Sequence, residues 1–311
     1  MSDRNLSVVP DNGGGRPPAV AADLLGRHLR RLRDDAGLRQ SDVVKAGVIG
    51  SASMLSKLEG GKVNPQEKQI RDLVLYYTHG DPGDLDACLA MAREATAKEW
   101  FAQYQDVVPD HSNRLFSQER AAIEIRTYEN HHVPGLLQTP EYAQAIMTEA
   151  AADPKGQLRE LGIVALRRRM AVRLERQMHL FLPGAPDYYA VLDENVLRRT
   201  KASIPVMRAQ LRSLLSVAEN SERVHLRVLP FDAPAHLVPT HGSVTLLTMP
   251  EGHGGDLVYI ESSNSGGTYI AEEADVELQR QRLITLFMGA AGKDETLEII
   301  DSHIGRLAGQ R

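Results

Sequence analysis

Apolar residues near the start of the chain recur at helical spacing. Leu25, Leu29, Leu32 and Ala36 form one stripe that Asp23 can cap, and Gly37 is a natural stop. A second short helix is expected from Gln40 to Ala46. After Gly47 and Gly50, Ser51 is a good N-cap for a third helix, on which Leu55 and Leu58 share a face. Asn64-Pro65-Gln66-Glu67 reads as an N-cap, a proline at N1 and a glutamate at N3. Ile70, Leu73, Val74 and Tyr77 would be the buried face of that fourth helix. Asp81-Pro82 would cap a fifth, with Leu85, Leu89 and Ala92 inward. The pattern predicts an all-α five-helix domain over residues 22–95. Residues 1–21, rich in glycine and proline, are expected to be a disordered tail.

Residues 96–114 read as a junction. Trp100, Phe101 and Tyr104 in it suit a core or an inter-domain contact, and Pro109–Asn113 is expected to break the chain. From 115 to 311 the pattern is mixed. Helices are predicted over Leu115–Tyr128, Pro140–Met147, Leu158–Met178, Met207–Val217 and Val276–Met288. Strands are predicted at His179–Leu182, Tyr188–Leu192, Val224–Leu229, Ser243–Thr248 and Leu257–Ile260. The expected fold class is therefore multidomain, with the helical head followed by an α+β domain whose sheet is covered by helices.

Composition narrows the function. The single cysteine, Cys88, excludes a disulfide framework and a cysteine-rich zinc site, and fits a reducing cytoplasm. No apolar run approaches about 18 residues, so no membrane span is expected. The net charge of −5 does not advertise nucleic-acid binding, but residues 22–77 hold ten Lys/Arg against seven Asp/Glu. A mildly basic reader on an acidic body is compatible with that asymmetry.

Within the head, Gln40–Glu59 is two short helices around a glycine-punctuated turn. Ser53, Ser56 and Lys57 face away from Leu55 and Leu58. Such a helix suits a DNA major groove, although a plain helical hairpin has the same pattern. The arginine-rich run Leu29–Gln40, followed by Ser51-Ala-Ser-Met-Leu-Ser-Lys-Leu-Glu-Gly-Gly-Lys62, resembles the helix-turn-helix of the XRE (Cro/phage repressor-like) family. That resemblance implies that Gln40 binds a DNA phosphate. It places Ala52, Ser53 and Lys57 toward the bases, with Ser51 and Ser56 flanking them and Lys62 in the following loop. It also implies a partly buried ion pair between Arg33 and Glu59. The sequence departs from the family in a turn, Gly47–Gly50, that is one residue longer, and in Val44 where a small residue is usual.

A second resemblance covers the body. Trp100…Tyr104…Val108-Pro109, Ile125-Arg-Thr-Tyr-Glu129, Val133-Pro-Gly-Leu-Leu-Gln-Thr-Pro-Glu-Tyr-Ala143, Arg173-Leu-Glu-Arg-Gln177 and Val228-Leu-Pro-Phe231 carry it. These segments are similar to the WhiJ-like or Scr1-type, antitoxin-like regulators of actinomycetes. The resemblance implies a regulator of development or antibiotic production, often encoded beside a small partner protein.

Other chemistry finds little support. His131-His132 and His236…His241 build no ligand set, so no metal and no cofactor are expected. The serines and glycines of Glu261–Gly267 lack a strand–elbow–helix context, and no catalytic residue is expected. The expected function is a cytoplasmic, nucleoid-associated, sequence-specific binder of double-stranded DNA. It is expected to be a homodimer, because one recognition helix covers one half-site. The alternative is an antitoxin-like interaction protein that binds a small co-encoded partner, with DNA binding only autoregulatory.

Overall fold

In the computed structural model the chain divides into two compact units, one ending at Glu99 and one beginning at Trp100. The structure describes residues 18–151, 160–182, 184–199, 202–237, 239, 242–251, 255–261 and 266–309. The expected tail through residue 17, the helix start at Leu158, His241, and the stretches 252–254 and 262–265 lie outside them.

The first unit is five helices: α1 (Pro18–Asp35), α2 (Gln40–Lys45), α3 (Ala52–Glu59), α4 (Glu67–Tyr77) and α5 (Leu85–Thr96). Leu25, Leu29, Val43, Leu55, Leu58, Ile70, Leu73, Val74 and Leu89 form its core. Helix α1 begins before Asp23, and residues 18–21 are not a tail. Val20 and Ala21 are buried on α1, and the Ala19 N–H donates to Glu99 Oε1 beyond α5 at 3.4 Å. Helix α4 starts after Gln66, not at Pro65. The Glu67 carboxylate expected to cap it instead accepts from Arg93 of α5 at 2.9 Å. Helix α5 starts at Leu85 because Asp81 spends its side chain on the Gly83 N–H, at 3.0 Å, in the preceding turn.

The second unit is built on a six-stranded sheet. Its elements are α6 (Asp110–Glu119), β1 (Glu124–Glu129), α7 (Pro140–Ala151), α8 (Glu160–Met178), β2 (Asp187–Asp193), α9 (Glu194–Arg198), α10 (Ile204–Asn220) and β3 (Val224–Leu229). They continue with β4 (Val244–Thr248), β5 (Leu257–Ile260), β6 (Thr268–Ile270), α11 (Glu273–Gly289) and α12 (Lys293–Ala308). The strand order is β3-β2-β1-β4-β5-β6. The pairs β1–β2 and β2–β3 are parallel; β1–β4, β4–β5 and β5–β6 are antiparallel. Helix α11 packs Val276, Leu283 and Leu286 on one sheet face, against Tyr128, Val191, Leu246 and Val258.

Several expectations are corrected here. The predicted helix Leu115–Tyr128 is two elements, and its second half is the central strand. Ile125 pairs with Tyr188 on one side and Leu247 on the other, while Glu124 and Arg126 pair through side chains on the opposite face. Period-2 burial inside a sheet overrides the helical spacing of Phe116, Ala122 and Ile125. Pro109–Asn113 does not break the chain, because Pro109 is the N-cap of α6. His179–Phe181 is a 3-10 turn extending α8, with Phe181 exposed, so it is not a strand. Elements α9, α12 and β6 were not foreseen. Phe101, Val107, Val108 and Val172 form a small core with Trp100, Tyr104 and Phe116 at its edge, so most of the expected junction belongs to the second unit.

Candidate nucleic-acid interface

Helix α3 is held by its apolar face and offers its polar one. Leu55 and Leu58 are buried, and Ser51, Ala52, Ser53, Ser56 and Lys57 are exposed. Ser51 is extended and its hydroxyl accepts the Met54 N–H at 3.1 Å, so this side chain caps the helix. The turn from α2 is made by Gly47 at φ +73°, a conformation glycine adopts without strain. Val44, where a small residue is usual, packs half-buried against the core.

The junction of α1 and α3 is electrostatic. Arg33 Nε donates to Glu59 Oε1 at 2.6 Å and Nη2 to Oε2 at 3.1 Å, while Nη1 donates to the Leu38 carbonyl at 2.8 Å. The hydrogen bond it donates to Glu59, opposed by burial, holds the Arg33 guanidinium above its ordinary pKa. Gln40 Nε2 donates to Glu59 Oε2 at 2.8 Å. Gln40 is thus half-buried and oriented by the ion pair rather than standing free at the surface.

Arg30, Gln40, Ser56, Gly60 and Lys62, with the Arg33–Glu59 pair as floor, line an open crevice of about 420 Å³. Arg30, Ser56 and Lys62 are exposed on its rim. Two cations and a hydroxyl beside the polar face of α3 are the donors a phosphate backbone needs. Arg30 was not singled out from the sequence. Its position one turn before Arg33 on α1 is the signal that could have found it. Ala52 and Ser53 lie at the other end of α3, so the crevice gathers Gln40, Ser56 and Lys62 but not them.

In the second unit the loop Val133–Thr139 is held by side chains from α8 and α10. Gln177 Nε2 donates to the Gly135 and Gln138 carbonyls at 2.8 and 2.7 Å, and Gln210 Nε2 donates to the Leu137 carbonyl at 2.9 Å. The Thr139 N–H donates to Gln210 Oε1 at 2.7 Å. The His131 and His132 rings stand 6.5 Å apart, and among the described residues no three His, Cys, Asp or Glu are grouped to hold a metal ion. No helix among the described residues is long and apolar enough to cross a membrane.

The comparisons agree with this division. A helix-turn-helix domain model matches residues 24–87 and identifies the first unit as a DNA-binding head of the regulator type. No curated protein and no solved structure matches the chain. A model for a domain of unknown function, DUF5753, matches residues 112–302, which is more than half of the sequence, and the chain therefore belongs to the DUF5753 family.

Proposed function

We propose that the protein is a sequence-specific transcriptional regulator of the actinomycete developmental or antibiotic-production type. It acts as a cytoplasmic homodimer that reads double-stranded DNA with α3 and has no catalytic role. The observation that carries this reading is the exposed polar face Ala52-Ser53-Ser56-Lys57 on a helix fixed from behind by Leu55, Leu58 and the Arg33–Glu59 pair. The second unit serves dimerisation and effector or partner binding. On and just after α8, Leu174, Met178, Phe181 and Leu182 are 40, 61, 68 and 48% exposed. Such an apolar stripe fits a second copy, which supplies the second recognition helix for a paired half-site.

The test is a gel-shift titration at fixed salt, on a duplex selected from random DNA by the wild-type chain. Ser53→Ala with Lys57→Ala is expected to lower affinity about tenfold or more. Both side chains are exposed, so the thermal melt should be unchanged. Unchanged affinity would overturn the assignment. The antitoxin-like alternative makes a different prediction for the same α8 stripe. Leu174→Glu with Met178→Glu would then leave a dimer intact and abolish co-purification with the protein encoded next to it.

A further inference from the structure

Helix α8 is apolar on two opposite sides. Leu166 and Val172 are its buried side, packed within the second unit. The other side carries Ile163, Val164, Met170, Ala171, Leu174 and Met178 at helical spacing. Ile163 and Val164 are 43 and 58% exposed, and Leu174 and Met178 continue the stripe almost three turns further on. A helix that is apolar all round is normally covered all round, and a stripe of such side chains left in water marks an interaction surface.

The stripe is symmetric about its middle. Ala171, half-buried, is its smallest side chain, and it lies seven residues after Val164 and seven before Met178. Arg167, exposed, and Glu175, half-buried, lie four residues before and four after the same alanine. The neighbouring Arg168 is held within its own chain, where Nη2 donates to Asp106 Oδ1 at 2.7 Å. Arg167 is the cation on the stripe itself.

A face with this symmetry complements a copy of itself. When a second α8 crosses the first in the antiparallel direction, on a two-fold axis at Ala171, Val164 of each copy comes level with Met178 of the other. Arg167 of each copy comes level with Glu175 of the other, and the paired alanines let the two backbones approach. A parallel pair sets Arg167 beside its own copy in the middle of the apolar stripe and aligns the two helix dipoles instead of opposing them. A different protein would require no such symmetry of the stripe.

We propose that two copies of the chain associate through α8, antiparallel on a two-fold axis at Ala171, with Arg167 of each copy paired to Glu175 of the other. The proposal rests on reading the second unit as the dimerisation unit, and it gives that interface its axis, its direction and its ion pairs.

The experiment is sedimentation equilibrium of the full chain at fixed salt. Arg167→Glu and Glu175→Arg each put like charges opposite one another twice per dimer, and each should raise the dimer dissociation constant by about tenfold. The double variant Arg167→Glu, Glu175→Arg restores opposite charges across the axis and should dimerise within a few-fold of wild type. An equimolar mixture of the two single variants should do the same, because every arginine then faces a glutamate. In one chain the two positions are two turns apart on α8, so pairing within the helix does not produce the rescue. Leu174→Glu places a carboxylate in the apolar stripe and should leave a monomer with the wild-type circular dichroism spectrum. Should Glu175→Arg not fold, Arg167→Glu and Leu174→Glu carry the comparison with wild type. A double variant no tighter than the single ones, or a Leu174→Glu chain that dimerises like wild type, overturns the proposal. A wild-type dimer indifferent to all of these changes overturns the α8 interface and leaves the homodimeric reading standing. A wild-type chain that stays monomeric at every concentration overturns both.

Discussion

Arg33 of α1 and Glu59 of α3 meet fork to fork, Nε to Oε1 at 2.6 Å and Nη2 to Oε2 at 3.1 Å, with side chains 9% and 4% exposed. Removing one partner of a buried pair strands the other, at a cost of about 3–5 kcal/mol. Glu59→Ala is therefore expected to lower the urea midpoint of the first unit sharply. The double change Arg33→Met, Glu59→Leu removes both charges and should recover most of that stability. DNA affinity should not recover with it, because Gln40 would lose the carboxylate that orients its amide. Recovery of both in the double variant would show that the pair does not position the interface.

Gly26 faces the same junction. A Cβ on it would lie 2.5 Å from the Glu59 carbonyl oxygen and 2.7 Å from that of Leu58. Both are backbone atoms at the end of α3 and cannot rotate away. Alanine is the better helix former by about 1 kcal/mol, so on an open helix Gly26→Ala would stabilise. Here overpacking, about 1–3 kcal/mol, is expected to win. A denaturant melt showing Gly26→Ala equal to or more stable than wild type would place the α1–α3 contact elsewhere.

The helical head was largely legible, because Leu25, Leu29, Leu55, Leu58, Ile70 and Leu73 repeat at helical spacing and all are buried. Its boundaries were less so. Asp81 is a good cap in isolation but spends its carboxylate on the Gly83 N–H in the turn, and Glu67 pairs with Arg93, distant in sequence, instead of capping α4. In the second unit, Ile125 fits a helical stripe as well as a strand, and only pairing with Tyr188 and Leu247 selects the strand. At the interface, the exposed face of α3 was readable. That the Gln40 amide is engaged by Glu59 was not, since nothing local relates residues so far apart.

Arg30 and Lys62 sit on the rim of the crevice beside α3 and are exposed. If each meets a DNA phosphate, Arg30→Ala and Lys62→Ala should each weaken binding to every sequence alike. Each should also reduce the slope of log K against log salt by about 1. Ser53→Ala should instead leave the slope unchanged while altering preference among duplexes. A salt titration in which Arg30→Ala keeps the wild-type slope would remove Arg30 from the interface.

Glu129 gives the second unit a signed pH dependence. Burial raises its pKa from 4.5 to about 8, so the folded protein holds a proton that the unfolded chain has released. Ionisation then favours unfolding. The stabilising contribution of the protonated acid is full below 4.5 and is lost as pH rises through about 8. Glu129→Gln cannot ionise, so its melting temperature relative to wild type should climb by several degrees from about pH 5 to about pH 8. A constant difference across that range would mean that Glu129 is ionised throughout.

Gln210 of α10 is 0% exposed and holds the loop from both sides, donating to the Leu137 carbonyl at 2.9 Å and accepting the Thr139 N–H at 2.7 Å. Gln210→Ala strands two backbone groups at about 1–3 kcal/mol each. Gln210→Glu keeps an acceptor for the Thr139 N–H while burying a carboxyl, so it should leave Thr139 bonded. Hydrogen exchange on the full chain separates the two variants. The Thr139 amide should exchange faster in Gln210→Ala and stay protected in Gln210→Glu, with the amides of α4 unchanged in both. Equal protection of Thr139 in wild type and Gln210→Ala would show that the loop is fixed without this glutamine, leaving Gln177 and Gln138 as its supports.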